Sequence, residues 1–140
     1  MIEERMIDAW VLLASTIKEN RFLDDFSFNE MMVLGIVYKH KNISFTNLCK
    51  ETAMLKSLLN RTLTSLIDKN ILEMKAFEGD KRKKIISFKD DKYDVYLKEH
   101  EKLVKVMTSI KNKIGLKKTE QLVESLNTLG NVIKEGDYND

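Results

Sequence analysis

The sequence predicts a mainly α-helical chain with one small β-hairpin near its middle. Three observations lead there. Apolar residues recur at three-and-four spacing over both ends, strand-like alternation is confined to residues 71–88, and there is no proline to break any helix.

Taken in order, Ile2, Met6, Ala9, Trp10, Leu13 and Ile17 form one stripe of an amphipathic helix running to about Asn20, and residues 20–26 interrupt it. Ser27-Phe28-Asn29-Glu30 is a capping box: the serine accepts from a free amide and the glutamate reciprocates. The helix it opens carries Met31, Val33, Leu34, Val37 and Tyr38 inward and closes on Lys39, His40 and Lys41, cations suited to the negative end of its dipole. Residues 42–44 are a short link, and Ser44 caps a third helix to about Thr52. A fourth helix spans residues 54–69 with Leu55, Leu59, Leu63 and Leu66 inward; Asn70, tolerant of the left-handed conformation, ends it. Residues 71–76 and 84–88 are strands, and the loop between them, 77–82, holds Gly79 for a positive φ. From Asp91 a long helix follows the stripe Tyr93, Tyr96, Leu97, His100, Leu103, Val104, Met107, Ile110 and Ile114, and Gly115 stops it. Leu122, Val123, Leu126, Leu129, Val132 and Ile133 mark the last helix, and residues 136–140 are a polar, frayed tail.

The 140 residues suit a single domain, with 43% apolar residues to build a core and 33% charged residues to solvate it. No apolar run reaches the roughly 18 residues of a membrane span, and residues 1–5 lack a secretory leader, so the expected setting is the cytoplasm. The lone Cys49 excludes an internal disulfide framework. The net charge of +2 is unevenly spread: −2 over residues 1–55, +5 over 56–89 and −1 over 90–140. A concentrated positive segment is what a face that meets a polyanion requires.

Helices three and four, joined by a three- or four-residue turn, have the spacing of a helix-turn-helix, and a hairpin directly after the second is a wing. The expected fold is therefore a winged helix-turn-helix over residues 27–89, flanked by N- and C-terminal dimerisation helices over 1–26 and 90–135. In such a fold the second helix enters the major groove of DNA. Its outward residues here are Lys56, Ser57, Asn60, Arg61 and Thr64. Arginine forks to guanine and asparagine pairs with adenine, so Arg61 and Asn60 are expected at base edges, with Lys56 and Ser57 at phosphate. At the hairpin tip Lys81, Arg82 and Lys83 suit a narrow minor groove, and Asp80 is expected to hold the Arg82 guanidinium in a planar bidentate pair.

The run from Leu48-Cys49 through Ser57, Arg61, Leu66 and Lys69-Asn70-Ile71-Leu72 to Asp80-Lys81-Arg82 and Ser87-Phe88 resembles the MarR family of bacterial regulators, whose wing carries an aspartate-any-arginine motif. The resemblance implies a homodimer on a pseudo-palindromic operator, by default a repressor, in many relatives released by a small-molecule effector, a metal or an oxidant. Apolar stripes at both chain ends, including Met6, Trp10, Leu13, Leu103, Met107, Ile110, Leu122, Leu126 and Leu129, independently call for a covering partner. The sequence departs from the family pattern at Leu55, where a capping serine or aspartate is usual, at Leu58 on the outer face, at Asn70 in place of glycine and at Phe88-Lys89 after the wing.

Other features have plainer readings. Cys49 falls on the inward side of helix three as a structural thiol, and neither His40 nor His100 has a second ligand at metal spacing. Trp10, Met31, Met32, Tyr93 and Tyr96 suit a core as well as a ligand pocket. No motif for catalysis or for a cofactor is present. The rival to a DNA reader is a winged-helix module that binds only protein.

Overall fold

The computed structural model describes residues 1–19, 23 and 25–136. Its elements are α1 (Ile2–Glu19), α2 (Phe28–His40), β1 (Asn42–Ser44), α3 (Phe45–Thr52), α4 (Lys56–Asp68), β2 (Leu72–Phe77), β3 (Asp80–Phe88), a 3₁₀ turn at Lys89–Asp91, α5 (Tyr93–Ile114) and α6 (Leu116–Glu135). The strands form one antiparallel sheet in the order β1-β3-β2. The break expected over residues 20–26 and the tail after Gly136 fall largely outside the described residues.

The core sits where α2, α3, α4 and the base of the sheet converge. Val33, Leu34, Val37, Leu48, Leu59, Leu66 and Ile86 are completely buried there. Truncating any one to alanine removes transfer energy and leaves a cavity, a cost of about 2–5 kcal/mol for the leucines. The long helix α5 joins this core at one close approach: a Cβ on Gly35 would lie 3.2 Å from the Tyr96 hydroxyl, so glycine lets the tyrosine lie against α2. Tyr38, Phe88, Tyr93 and Tyr96 pack around that junction. Lys41, a non-glycine residue at φ 68°, places its ammonium 4.0 Å from the Tyr38 ring centre.

The Ser27 capping box closes in both directions, with Ser27 Oγ accepting from the Glu30 amide at 3.1 Å and Glu30 Oε1 accepting from the Ser27 amide at 2.9 Å. The same buried carboxylate reaches across to α4. Ser65 donates to Oε2 at 2.9 Å, and Lys69 Nζ donates to both oxygens at 3.1 and 2.9 Å. Burial alone would raise the Glu30 carboxyl, but the Ser27 amide, Lys69 and Ser65 together hold it below its ordinary value near 4.5. At the far end of α4, Asn70 adopts φ 61° and the Ile71 amide returns to the Leu66 carbonyl at 3.0 Å, a Schellman-type closure.

Several expectations are corrected. Residues 42–44 are a strand rather than a link, because Ile43 pairs with Ile86 and Ser44 with Ile85. Helix α4 starts at Lys56, two residues later than the periodicity suggested, and Leu55 stands at its N-cap, 77% exposed, instead of facing the core. The hairpin turn is only Glu78-Gly79, with Gly79 at φ 98°, and β3 begins at Asp80, so the basic run lies within the strand and not in a loop. Cys49 is half-buried at the edge of the core rather than enclosed by it.

The Glu30 anchor has a measurable signature. Glu30→Ala is expected to destabilise the chain by about 2–3 kcal/mol, since it strips a cap and leaves Ser65 and Lys69 without their acceptor. A carboxyl lowered on folding adds stability that is fully present above about pH 4.5 and is lost as pH falls through its native value. Urea midpoints of Glu30→Gln and the parent should therefore differ at pH 7 and converge in strong acid; equal midpoints at pH 7 would exclude the anchor.

Candidate nucleic-acid interface

Helices α3 and α4 are joined by Ala53-Met54-Leu55, a three-residue turn. Ser44 Oγ caps α3 by accepting from the Asn47 amide at 3.1 Å, Ala53 takes the left-handed conformation at φ 56°, and Thr52 Oγ1 accepts from the Met54 amide at 3.3 Å. Met54 packs against the core while Leu55 turns away. With Leu59, Thr62, Leu63 and Leu66 buried, α4 exposes Lys56, Ser57, Asn60, Arg61 and Thr64 along its outer side.

The wing is the outer part of the β2–β3 ribbon. Ala76 faces Lys84, yet Phe77 faces Asp80, so Lys81, Arg82 and Lys83 have no partners on β2 and form an enlarged bulge. All three are exposed. Asp80 Oδ1 accepts from the Arg82 backbone amide at 3.0 Å and only distantly from Arg82 Nε, at 3.4 Å. The expected planar bidentate pair is therefore not formed. Asp80 shapes the backbone of the bulge, and the Arg82 side chain, 94% exposed, keeps one long Nε contact to it with the rest of its surface in water. Lys83 Nζ lies 4.9 Å from the Phe77 ring centre, a cation–π contact at the wing's end.

Helix and wing share one open cleft. Lys56 and Asn60 line it from α4, and Arg82, Lys83 and Lys84 from β3, with Phe45 and Met74 between them. A second concavity beside it gathers Asn47, Lys50 and the other side of Lys83. Arg61 lies elsewhere: it faces Ser27, Asn29, Leu58 and Ser65 on the α2 side of α4. The candidate contact residues are thus all exposed, with Lys56, Asn60, Arg82 and Lys83 around the cleft and Arg61 in a separate concavity on the α2 side. Phe45 and Thr46 line this cleft and were not anticipated, although the Ser44 cap already signalled a helix start there.

The remaining candidates do not assemble into a site. His40 Nε2 pairs with Glu51 at 2.7 Å, and His100 stacks on Tyr96. Among the described residues no three His, Cys, Asp or Glu side chains are grouped to hold a metal. Met31 and Tyr96 are in the core, Tyr93 is half-buried beside it, and Met32 and Trp10 are exposed. Burial, reinforced by Tyr38, raises the Tyr96 phenol and keeps it neutral. Glu99 is a buried carboxylate that sequence reasoning passed over; Lys102 donates to its Oε1 at 2.8 Å, and its Oε2 has no hydrogen-bond partner among the described residues. Its spacing three residues after Tyr96 and four before Leu103 was the available signal.

The terminal helices differ from the central lobe. Neither α1 nor α6 has a buried residue, and α5 buries only Tyr96 and Glu99. Met6, Trp10, Leu13, Met107, Ile110, Leu122 and Leu126 are exposed, while Leu103 and Leu129 are half-buried. Among the described residues no helix is long and apolar enough to cross a membrane.

Residues 24–83 match the family model described as MarR family. No curated protein matches the chain. Among solved structures, a mutant MarR from E. coli complexed with operator DNA aligns at a TM-score of 0.74 and 16% identity, covering 92% of this chain and 97% of its own. The PcaV transcriptional regulator of Streptomyces coelicolor with its natural ligand aligns at 0.73 and 10% identity, covering 94% and 91%. Bordetella bronchiseptica BpsR, whose DNA binding is regulated by 6-hydroxynicotinic acid, aligns at 0.73 and 13% identity, covering 92% and 98%. At these identities the likeness is one of fold. Over residues 24–83 the chain is thus similar to the MarR family, and its fold is the winged-helix fold of the MarR-family structures it aligns with.

Proposed function

We propose that this chain is a homodimeric, sequence-specific double-stranded DNA-binding protein that represses transcription from a pseudo-palindromic operator in the cytoplasm. The observation that carries the reading is the cleft shared by Lys56 and Asn60 of α4 with Arg82 and Lys83 of the wing. A helix and a cationic ribbon converging on one open surface suit adjacent grooves of a duplex. The operator complex of the E. coli relative supports the same use of the fold. Asn60 and Arg61 are the base-reading candidates, on opposite flanks of the helix; Lys56, Ser57, Thr64, Lys81 and Lys83 supply backbone contacts. The ligand-bound and ligand-regulated relatives support an effector-responsive protein, with the effector's identity open. Nothing in the residue inventory requires catalysis.

The terminal helices support the dimer. Trp10 at 56% and Leu126 at 50% exposure are large apolar side chains on helices that bury nothing in the single chain, and an isologous partner would cover them. The boundary between this region and the DNA lobe is set near residues 26 and 90. A Trp10→Asp, Leu126→Asp double variant should sediment as a monomer where the parent sediments as a dimer; a parent that sediments as a monomer at micromolar concentration would rule the dimer out.

Selection of bound duplexes from a random pool should recover a two-fold motif. On that duplex Arg61→Ala should lose about 1–3 kcal/mol and relax preference at one position, whereas Arg82→Ala should weaken all sequences alike and lower the salt slope by about one. A module that binds only protein would retain no duplex even at low salt.

A further inference from the structure

We propose that Leu55, at the amino-terminal tip of α4, determines specificity by seating against the 5-methyl group of a thymine in the major groove. The inference rests on the DNA-binding reading above and names a contact within that surface. Leu55 is 77% exposed, as open to water as the chain's first residue. It occupies an N-cap, the position at which Ser27 and Ser44 each accept an amide proton at 3.1 Å to close α2 and α3. Helix α4 has no side-chain cap at all. An uncapped helix start and a leucine held in water are two local costs at one residue, and the fold gains nothing from either.

A lone exposed leucine is ordinary on a protein surface; its setting here is not. Leu58, one turn on, is half-buried, and the other side chains that α4 shows to water up to residue 64 are polar or cationic: Lys56, Ser57, Asn60, Arg61 and Thr64. A protein partner needs a wider apolar patch than one side chain supplies, whereas a polyanion fits the surrounding charge. The first residues of a helix lying in the major groove reach the base edges, and the only apolar group displayed there is the thymine methyl. Leucine can neither donate nor accept a hydrogen bond, so at that position it distinguishes thymine from cytosine by the methyl alone.

The test replaces each thymine of the pool-selected duplex singly by uracil, which deletes the methyl and preserves pairing. The parent should lose about fourfold in affinity at one position per half-site, the effect of burying one methyl group. Leu55→Ser should bind the thymine and uracil duplexes equally at that position and melt no lower than the parent, because serine restores the cap. Leu55→Val, shorter but apolar, should keep a reduced preference for thymine. A parent indifferent to every uracil, or a Leu55→Ser variant with the parent's thymine-to-uracil ratio throughout, would overturn the proposal. A pool that yields no motif overturns the DNA-binding reading itself, a result distinct from a motif that ignores uracil.

Discussion

The Glu30 carboxylate closes the start of α2 and accepts hydrogen bonds from Ser65 and Lys69 near the end of α4, so both helices hang from a single buried group. The buried stripe of Leu59, Leu63 and Leu66 sets which face of α4 meets the core. Two oxygens with fixed partners add a directional tie at its carboxyl end. In the resulting arrangement Lys56 and Asn60 lie toward the wing and Arg61 toward α2. Lys69 also reaches the Asp25 carbonyl at 3.1 Å, which ties the approach to α2 into the same anchor.

Outside this lobe the physics changes. The central lobe buries a core of its own, whereas α1, α5 and α6 leave most of their large apolar side chains in water. The chain therefore divides into a part whose geometry is locally determined and a part whose final environment depends on what covers it. The Tyr96–Gly35 approach and the aromatic group around Tyr38 join the two by close packing.

What was legible in the residues was local. The Ser27–Glu30 box, the Ser44 cap, the left-handed Asn70 and the helix-turn-helix spacing each depend on contacts within a few residues. What was not legible depended on distant pairing or on phase. Three residues, Asn42 to Ser44, are too few to show a period, and they are a strand only because Ile85 to Ser87 lie opposite. The start of β3 was misplaced because a register jump cannot be read from one strand alone. Leu55 fits a four-residue leucine spacing that begins before its helix does, so periodicity assigned it to the wrong side. That Arg61 points outward was legible from the leucine spacing, but that it lies beside α2 was not, since this depends on where α2 packs.

The enlarged bulge at Lys81 to Lys83 bears on self-association as well. A flat, regular ribbon with a free edge invites a second chain to add a strand and seed a fibril. Here β1 covers β3 only at Ile85 to Ser87, so the projecting ribbon has β2 on one edge and β3 on the other, with the register broken at Ala76/Phe77 beside a cluster of like charges. The same irregularity that sets the cations apart from the β2 ladder leaves neighbouring molecules a poor template for strand addition.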